Sequence, residues 1–335
     1  MADARCFPIA YARGMKTLKP LPLIAAGIAG AALFATPVPA QPSGQPGPPY
    51  TVVETGKSYS RLQDAVDAIG GGSGTIRFAS MRFADCAVQT AGTIAYIAAV
   101  PGEAVLDGVP CEGKAALVLR GRGARIEGMV FSNIRVPDKN GAGIRLEKGN
   151  LDITQSWFRD SEQGILTAED SGGVITIDKS TFTRLGTCEG GGGCAHSIYV
   201  GGAEALNVTR TRFEAGRGGH YLKSRATRVS VTDTSFDDTA GKATNYMIDL
   251  PAGSVGKIAG NWFVQGKDKE NHSAFIAVGA ENILHTSNGL RIEGNNARFA
   301  PGVEWPSVFV ADWSDDKVVL GANTLGPKIK KYERR

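Results

Sequence analysis

Apolar and polar positions recur along this chain in a fixed order. An apolar residue is followed five positions later by a small polar one and, two further on, by phenylalanine. The pattern reads Leu151, Ser156, Phe158; Ile175, Ser180, Phe182; Leu206, Thr211, Phe213; and Val229, Thr234, Phe236, with a looser copy at Gly256, Asn261, Phe263. Short strand-like runs precede the copies: Gly143–Leu146, Gly164–Leu166, Ser197–Val200, Tyr221–Lys223 and Met247–Leu250. From Phe131 to Phe263 the phenylalanines lie 23 to 31 residues apart. Self-similarity at such a period is the signature of a solenoid, in which each unit buries its apolar face against its neighbours. Alternating β-branched residues and Gly/Asn/Asp turns make the units strands, and no helical stripe lies between them. The predicted fold class is therefore all-β.

The ends differ from the middle. Tyr50–Gly56 reads as a strand. Leu62, Ala65, Val66 and Ile69 fall on one face of a helix over Arg61–Ile69, with Ser60 as its N-cap and Gly70–Gly74 ending it. Such a helix plugs the N-terminal end of a solenoid, where the core would otherwise meet water. Coils are predicted from Thr75 to Phe299. The runs at Val308–Val310 and Val318–Leu320 read as a C-terminal cap, and Lys328–Arg335 as a solvated basic tail.

Lys16 and Lys19 precede a mostly apolar run from Leu21 to Phe34, and Val38-Pro39-Ala40 offers small residues where a signal peptidase reads. Residues 1–40 are thus expected to be a secretory signal cleaved after Ala40, with Met15 the better start. The run is short for a bilayer span, which needs about 20 residues, so no membrane span is expected in the mature chain. A Pro/Gly-rich leader follows over 41–49, then one domain over 50–327. Without Arg5, Arg13, Lys16, Lys19 and Asp3, basic and acidic side chains number 33 and 32. That balance argues for neither nucleic acid nor wholesale membrane binding. Four cysteines remain beyond the leader: Cys86, Cys111, Cys188 and Cys194. In an exported chain an even set suggests disulfides. Cys188 and Cys194 flank one Gly-rich loop, and Cys86 and Cys111 lie about one repeat apart. The spacing does not suit zinc, and no metal site is assigned. The expected product is a secreted or periplasmic monomer.

Stacked coils bring equivalent residues about 4.8 Å apart. Aligning the strand runs on Ile144, Ile165, Ile198, Leu222, Ile248 and Ile276 places Arg145, Leu166, Tyr199, Lys223, Asp249 and Ala277 outward in one row. Two further on stand Glu147 and Arg225. Two before the core position, His196, His220 and Tyr246 share a column. Strict alternation points these histidines inward, unless a turn just before each strand frees them. His196, Tyr199, His220, Lys223, Arg225 and Asp249 are the candidate catalytic residues. Arg145, Glu147, Tyr221 and Tyr246 are candidate substrate contacts. Small or apolar residues would serve a mere scaffold here, so this concentration marks a functional face. The competing expectation is an ordinary cross-strand ion pair between Lys223 and Asp249.

The Gly-Ile-x-Leu strands, the Ser-x-Phe steps, the stretch Leu62–Ile69, and the run Ala99–Glu103 leading to Leu106-Asp107-Gly108 resemble the right-handed parallel β-helix superfamily of pectate lyases and their relatives. The resemblance implies a single-stranded right-handed parallel β-helix with an N-terminal capping helix. It leaves function open, because that scaffold hosts many activities. Lys223-Ser224 is similar to the Lys-Ser at the catalytic coil of alginate-lyase and chondroitinase-B-type enzymes. In that family the lysine is the base, an arginine one coil onward assists, and a calcium ion neutralises the uronate. Here the next-coil position is Asp249. Calcium is the only cofactor the resemblance implies.

The expected function is β-elimination on an acidic, uronate-containing polysaccharide. A base removes a weakly acidic proton beside a carboxylate whose charge must be neutralised. Lys223 flanked by Arg225 fits the base, with Tyr199 or a histidine as acid or base. Two alternatives stay open. An inverting hydrolase would use Asp249 with Asp233, Asp237 or Asp238. A non-catalytic glycan-binding or envelope protein would use Tyr199, Tyr221 and Tyr246 as a stacking platform.

Overall fold

The computed structural model describes residues 48–191 and 193–335. The expected signal and most of the leader lie outside the described residues. The chain winds as a parallel β-solenoid with three sheets, of 12, 10 and 10 strands. The first sheet carries Leu151, Ile175, Leu206 and Val229 in register. The second carries the phenylalanines. The third carries Ile144, Ile165, Ile198, Leu222, Ile248 and Ile276 in the register expected from the pattern.

The repeated triplet has a physical reason at each position. The phenylalanine rings form a continuous stack, Phe131–Phe158–Phe182–Phe213–Phe236–Phe263, with centroids 4.7–5.0 Å apart. All six are fully buried, so the stack forms one spine of the core. The small polar residue serves the turn between the first and second sheets. Thr234 Oγ1 accepts the backbone N–H of Thr211, Asn261 Oδ1 that of Thr234, and Asn295 Oδ1 that of Asn261, each one coil back. A buried N–H without a partner is costly, and the ladder satisfies one per coil. The residue before each rung turns the chain through a left-handed conformation: Gln155, Lys179, Arg210 and Asp233 have φ of 49°, 48°, 47° and 50°.

The helix spans Leu62–Ile69 and buries Leu62, Ala65 and Val66 against the core. Its N-cap position is Arg61, not Ser60, and no side chain of its own caps it. Asp85 Oδ2 accepts the Leu62 N–H instead, at 2.8 Å. The cap is tertiary, supplied from 23 residues away. At the other end the coils run on past Phe299. Val319–Leu320, Thr324–Leu325 and Ile329–Arg334 add a further rung to all three sheets. The basic segment read as a solvated tail is thus largely a strand, pairing in parallel with Ser307–Asp312. Ile329 and Tyr332 are half-buried and pack against the core, while Lys330 and Lys331 are exposed.

Both expected disulfides are present, Cys86–Cys111 and Cys188–Cys194. Among the described residues no helix is long and apolar enough to cross a membrane. The two disulfides fit an extracellular or periplasmic protein.

Candidate functional site

The outward row of the third sheet changes character along the axis. It runs Val88, Val118, Arg145, Leu166, Tyr199, Lys223, Asp249, Ala277, Ala311, so the polar residues sit on the middle coils between small apolar ones. A groove of about 660 Å³ lies over these coils, lined by Arg145, His196, Tyr199, His220, Lys223 and Arg225 among others.

The histidines reach this groove because the backbone bends. Ser197, Tyr221 and Met247 each sit at a bend one residue before a strand. The bend breaks the strict alternation that would have turned His196 and His220 inward. The two rings stack coil on coil at 4.9 Å, and Tyr246 stacks on His220 at 5.5 Å. Gly219 permits the approach. Its φ is 60°, and a Cβ there would lie 2.2 Å from the Ala195 carbonyl oxygen. The same bend sends Tyr221 into the core, where its hydroxyl donates to Asp238 Oδ1 at 2.6 Å. Tyr221 is therefore not a substrate contact, which removes the middle member of the expected tyrosine platform. Tyr246 packs with Ala274, Ala277 and Val308 on the outside of the sheet.

Lys223 and Asp249 face outward, yet they are 8% and 2% exposed. They form a buried floor, unlike the exposed ion pair of the simplest expectation. Lys223 Nζ lies 3.3 Å from Asp249 Oδ2 and 2.5 Å from Glu281 Oε1. Arg225 donates through Nη2 to the other Glu281 oxygen and through Nε to Tyr199 Oη at 3.0 Å. The Lys223 and Arg225 cations lie 5.9 and 5.8 Å from the Tyr199 ring centre. Glu147 is taken instead by Lys114 and Arg120. Arg145 lines the groove; its buried Nε makes no hydrogen bond but lies 3.8 Å from Glu147 Oε1.

Protonation follows from burial and charge. Burial pushes the His196 imidazole down to about 3, and the Lys223 cation adds to this. The neutral ring accepts the His220 backbone N–H at Nδ1, 3.0 Å away, so its proton sits on Nε2. Burial also lowers His220. Its 3.4 Å approach to Asp249 is then a long polar contact between a neutral ring and a carboxyl group. Burial raises Asp249 to about 6, against the opposing pull of Lys223. Glu281 is held below its ordinary value, because Lys223 and Arg225 outweigh its partial burial. Gln163 Oε1, His220 Nδ1 and Asp249 Oδ1 are buried with no partner. Orphaned polar atoms are rare in folded proteins, and these three lie together at the groove.

Sequence reasoning missed Glu281. It lies in the stretch 279–290, a twelve-residue break between strands of the third and first sheets. The preceding coils make that crossing in two to four residues. Irregular spacing is the signal that could have found it. Asp233, Asp237 and Asp238 do not join Asp249. Asp233 sits at the turn between the first two sheets, Asp237 on the second sheet, and Asp238 is buried with Lys269. Among the described residues no cluster of His, Cys, Asp and Glu is arranged to hold a metal ion.

No family model matches the chain, and no curated protein matches it. Two solved structures align with it. ORF18 of Geobacillus virus E2 shares 13% identity over 81% of this chain and 56% of its own, with a TM-score of 0.44. A tailspike protein mutant of E. coli bacteriophage HK620, solved in complex with a pentasaccharide, shares 13% identity over 88% of this chain and 63% of its own, with a TM-score of 0.33. The chain thus spans less than two thirds of either protein. At such scores neither likeness bears on the site.

Proposed function

We propose that this protein acts on a uronate-containing glycan, cleaving it by β-elimination in the groove of the third sheet. The observation that carries the reading is the convergence of Lys223 and Arg225 on a single carboxylate beside Tyr199. Elimination from a 4-linked uronate needs a carboxylate neutralised, a proton taken from C5 and the C4–O bond broken. Lys223 on its strand and Arg225 just beyond it supply the first requirement. Lys223 already has carboxylates on two sides, which favours its role as a fixed cation over that of the base. The proton transfer then falls to Tyr199. Arg225 Nε donates to its oxygen, a hydrogen bond that a phenolate would keep. The C5–H electron pair forms the C4=C5 double bond. The leaving oxygen takes a proton, which the Tyr199 hydroxyl returns. His196, neutral with Nε2–H toward the groove, donates to the sugar.

The alternative hydrolase needs two carboxyl groups that reach the substrate. Asp249 is buried on the floor, and its expected partners lie elsewhere, so elimination is preferred. The test is a panel of uronate glycans followed by ultraviolet absorbance. Unsaturated uronate ends support elimination. New reducing ends without that absorbance would replace it with hydrolysis, and binding without cleavage would leave a glycan-binding protein.

A further inference from the structure

We propose that the Glu281 carboxylate is an internal occupant of a carboxylate-binding site, and that the carboxylate of the substrate enters by displacing it. The inference rests on the reading of this groove as a uronate site. Glu281 offers one oxygen to Lys223 and the other to Arg225. Two cations gripping both oxygens of one carboxylate is the geometry of ligand recognition. Neither cation needs Glu281 for its own burial. Lys223 keeps Asp249, and Arg225 keeps Tyr199 Oη.

The route by which Glu281 arrives sets it apart from the rest of the solenoid. Its twelve-residue stretch belongs to the coil of Ala277, yet its side chain reaches the coil of Lys223, two rungs back. The Glu281 N–H donates to the Pro251 carbonyl at 3.1 Å, and the Leu284 and His285 N–H groups donate to Ala252. His285 Nε2 lies 3.2 Å from the Arg225 carbonyl oxygen. The next residues are left in water: Ile283 and Leu284 are 44% and 61% exposed. The Glu281 side chain is itself 43% exposed, while its Lys223 partner is 11% exposed. The cations belong to the buried floor, and the carboxylate to a stretch outside the strands whose residues 281–284 are exposed. An incoming carboxylate therefore replaces one ion pair by another of the same kind, at the entropic cost of its own binding. Glu281 acts as a specificity residue. Neutral sugars cannot compete for its cations, whereas a uronate can.

A tethered competitor acts at millimolar effective concentration, so removing it should tighten free carboxylates by about tenfold. The experiment titrates acetate, then galacturonate and galactose, into the full chain and follows the ring resonances of His196 and His220, which line the groove and are kept in every variant. Wild type, Glu281→Gln, and Glu281→Gln with Lys223→Ala and Arg225→Ala are compared, with the melting temperature as a fold control. The expected result is acetate and galacturonate binding about tenfold tighter in Glu281→Gln, no such gain for galactose, and loss of binding in the triple variant. Equal carboxylate affinity in wild type and a folded Glu281→Gln would overturn the proposal, as would a gain that survives the triple variant. Acetate reports on the cation pair whatever the glycan. A failure of the lyase reading, with no unsaturated product from any uronate glycan, would leave the acetate result standing.

Discussion

At the scale of single residues, the site depends on which charges sit on Lys223, Arg225 and Asp249. Were Lys223 the base, an arginine there would be inert, because arginine stays protonated in practice. As a fixed cation Lys223 tolerates that exchange. Lys223→Arg is expected to keep turnover within about tenfold, while Lys223→Ala and Tyr199→Phe each lose about a hundredfold or more. Equal loss in Lys223→Arg and Lys223→Ala would return the base to the lysine. Asp249 offers a test without substrate. Its carboxyl is raised to about 6 in the folded protein against an ordinary 3.8. The folded state therefore holds that proton more tightly than the unfolded chain. The resulting stabilisation is complete below about pH 4 and is lost as the pH rises through 6. Asp249→Asn escapes this loss. Its melting temperature relative to wild type should climb by several degrees between pH 4 and 7, and a flat difference would refute the assignment. His196 has the opposite sign. Its lowered value leaves the folded state unable to take the proton that the unfolded chain binds below about 6.5, so its contribution is lost on acidification toward 3.

At the scale of elements, the repeat is one packing unit written many times. Each strand of the second sheet contributes one ring to a stack that runs unbroken from Phe131 to Phe263. Phe182 lies mid-stack with neighbours 4.8 and 4.9 Å away. Phe182→Ala should cost about 3–5 kcal/mol by denaturant unfolding, because its neighbours are held by their own strands and cannot collapse into the gap. The polar ladder makes a different prediction. Thr234→Val keeps the shape but deprives the buried Thr211 N–H of its acceptor. The expected loss is about 1–3 kcal/mol. A neutral result would mean that water or a backbone shift replaces the rung.

At the scale of the molecule, a solenoid is only as sound as its ends. An open parallel sheet presents unpaired N–H and C=O groups to any passing strand. The helix Leu62–Ile69 lies over the first coil, and Ile329–Arg334 covers Ser307–Asp312 at the last. Truncation after Gly326 would strip that edge and uncover the buried Phe309 and Val310. Such a chain is expected to self-associate, which light scattering would detect, while a monodisperse truncated chain would show that Ser307–Asp312 needs no cover. Cys188–Cys194 acts locally, since Cys194 lines the groove.

What the chain alone determined is the part governed by periodicity. A ring every 23 to 31 residues admits little but stacking, so the all-β solenoid, the phenylalanine spine and the row Tyr199–Lys223–Asp249 were legible before any coordinates. Cys86–Cys111 followed from the repeat spacing, and Cys188–Cys194 from the one Gly-rich loop they flank. Tertiary structure decided whatever departs from the period. Bends at Ser197 and Tyr221 turned the histidines out and Tyr221 in, because one irregular φ/ψ pair overrides alternation for the residues before it. The last strand, polar on its outer face, gained its place from pairing and not from its composition. Glu281 reached Lys223 from 58 residues away through a segment with no repeat to align. Repetition transmits position along a sequence, and where repetition stops only the folded backbone carries that information.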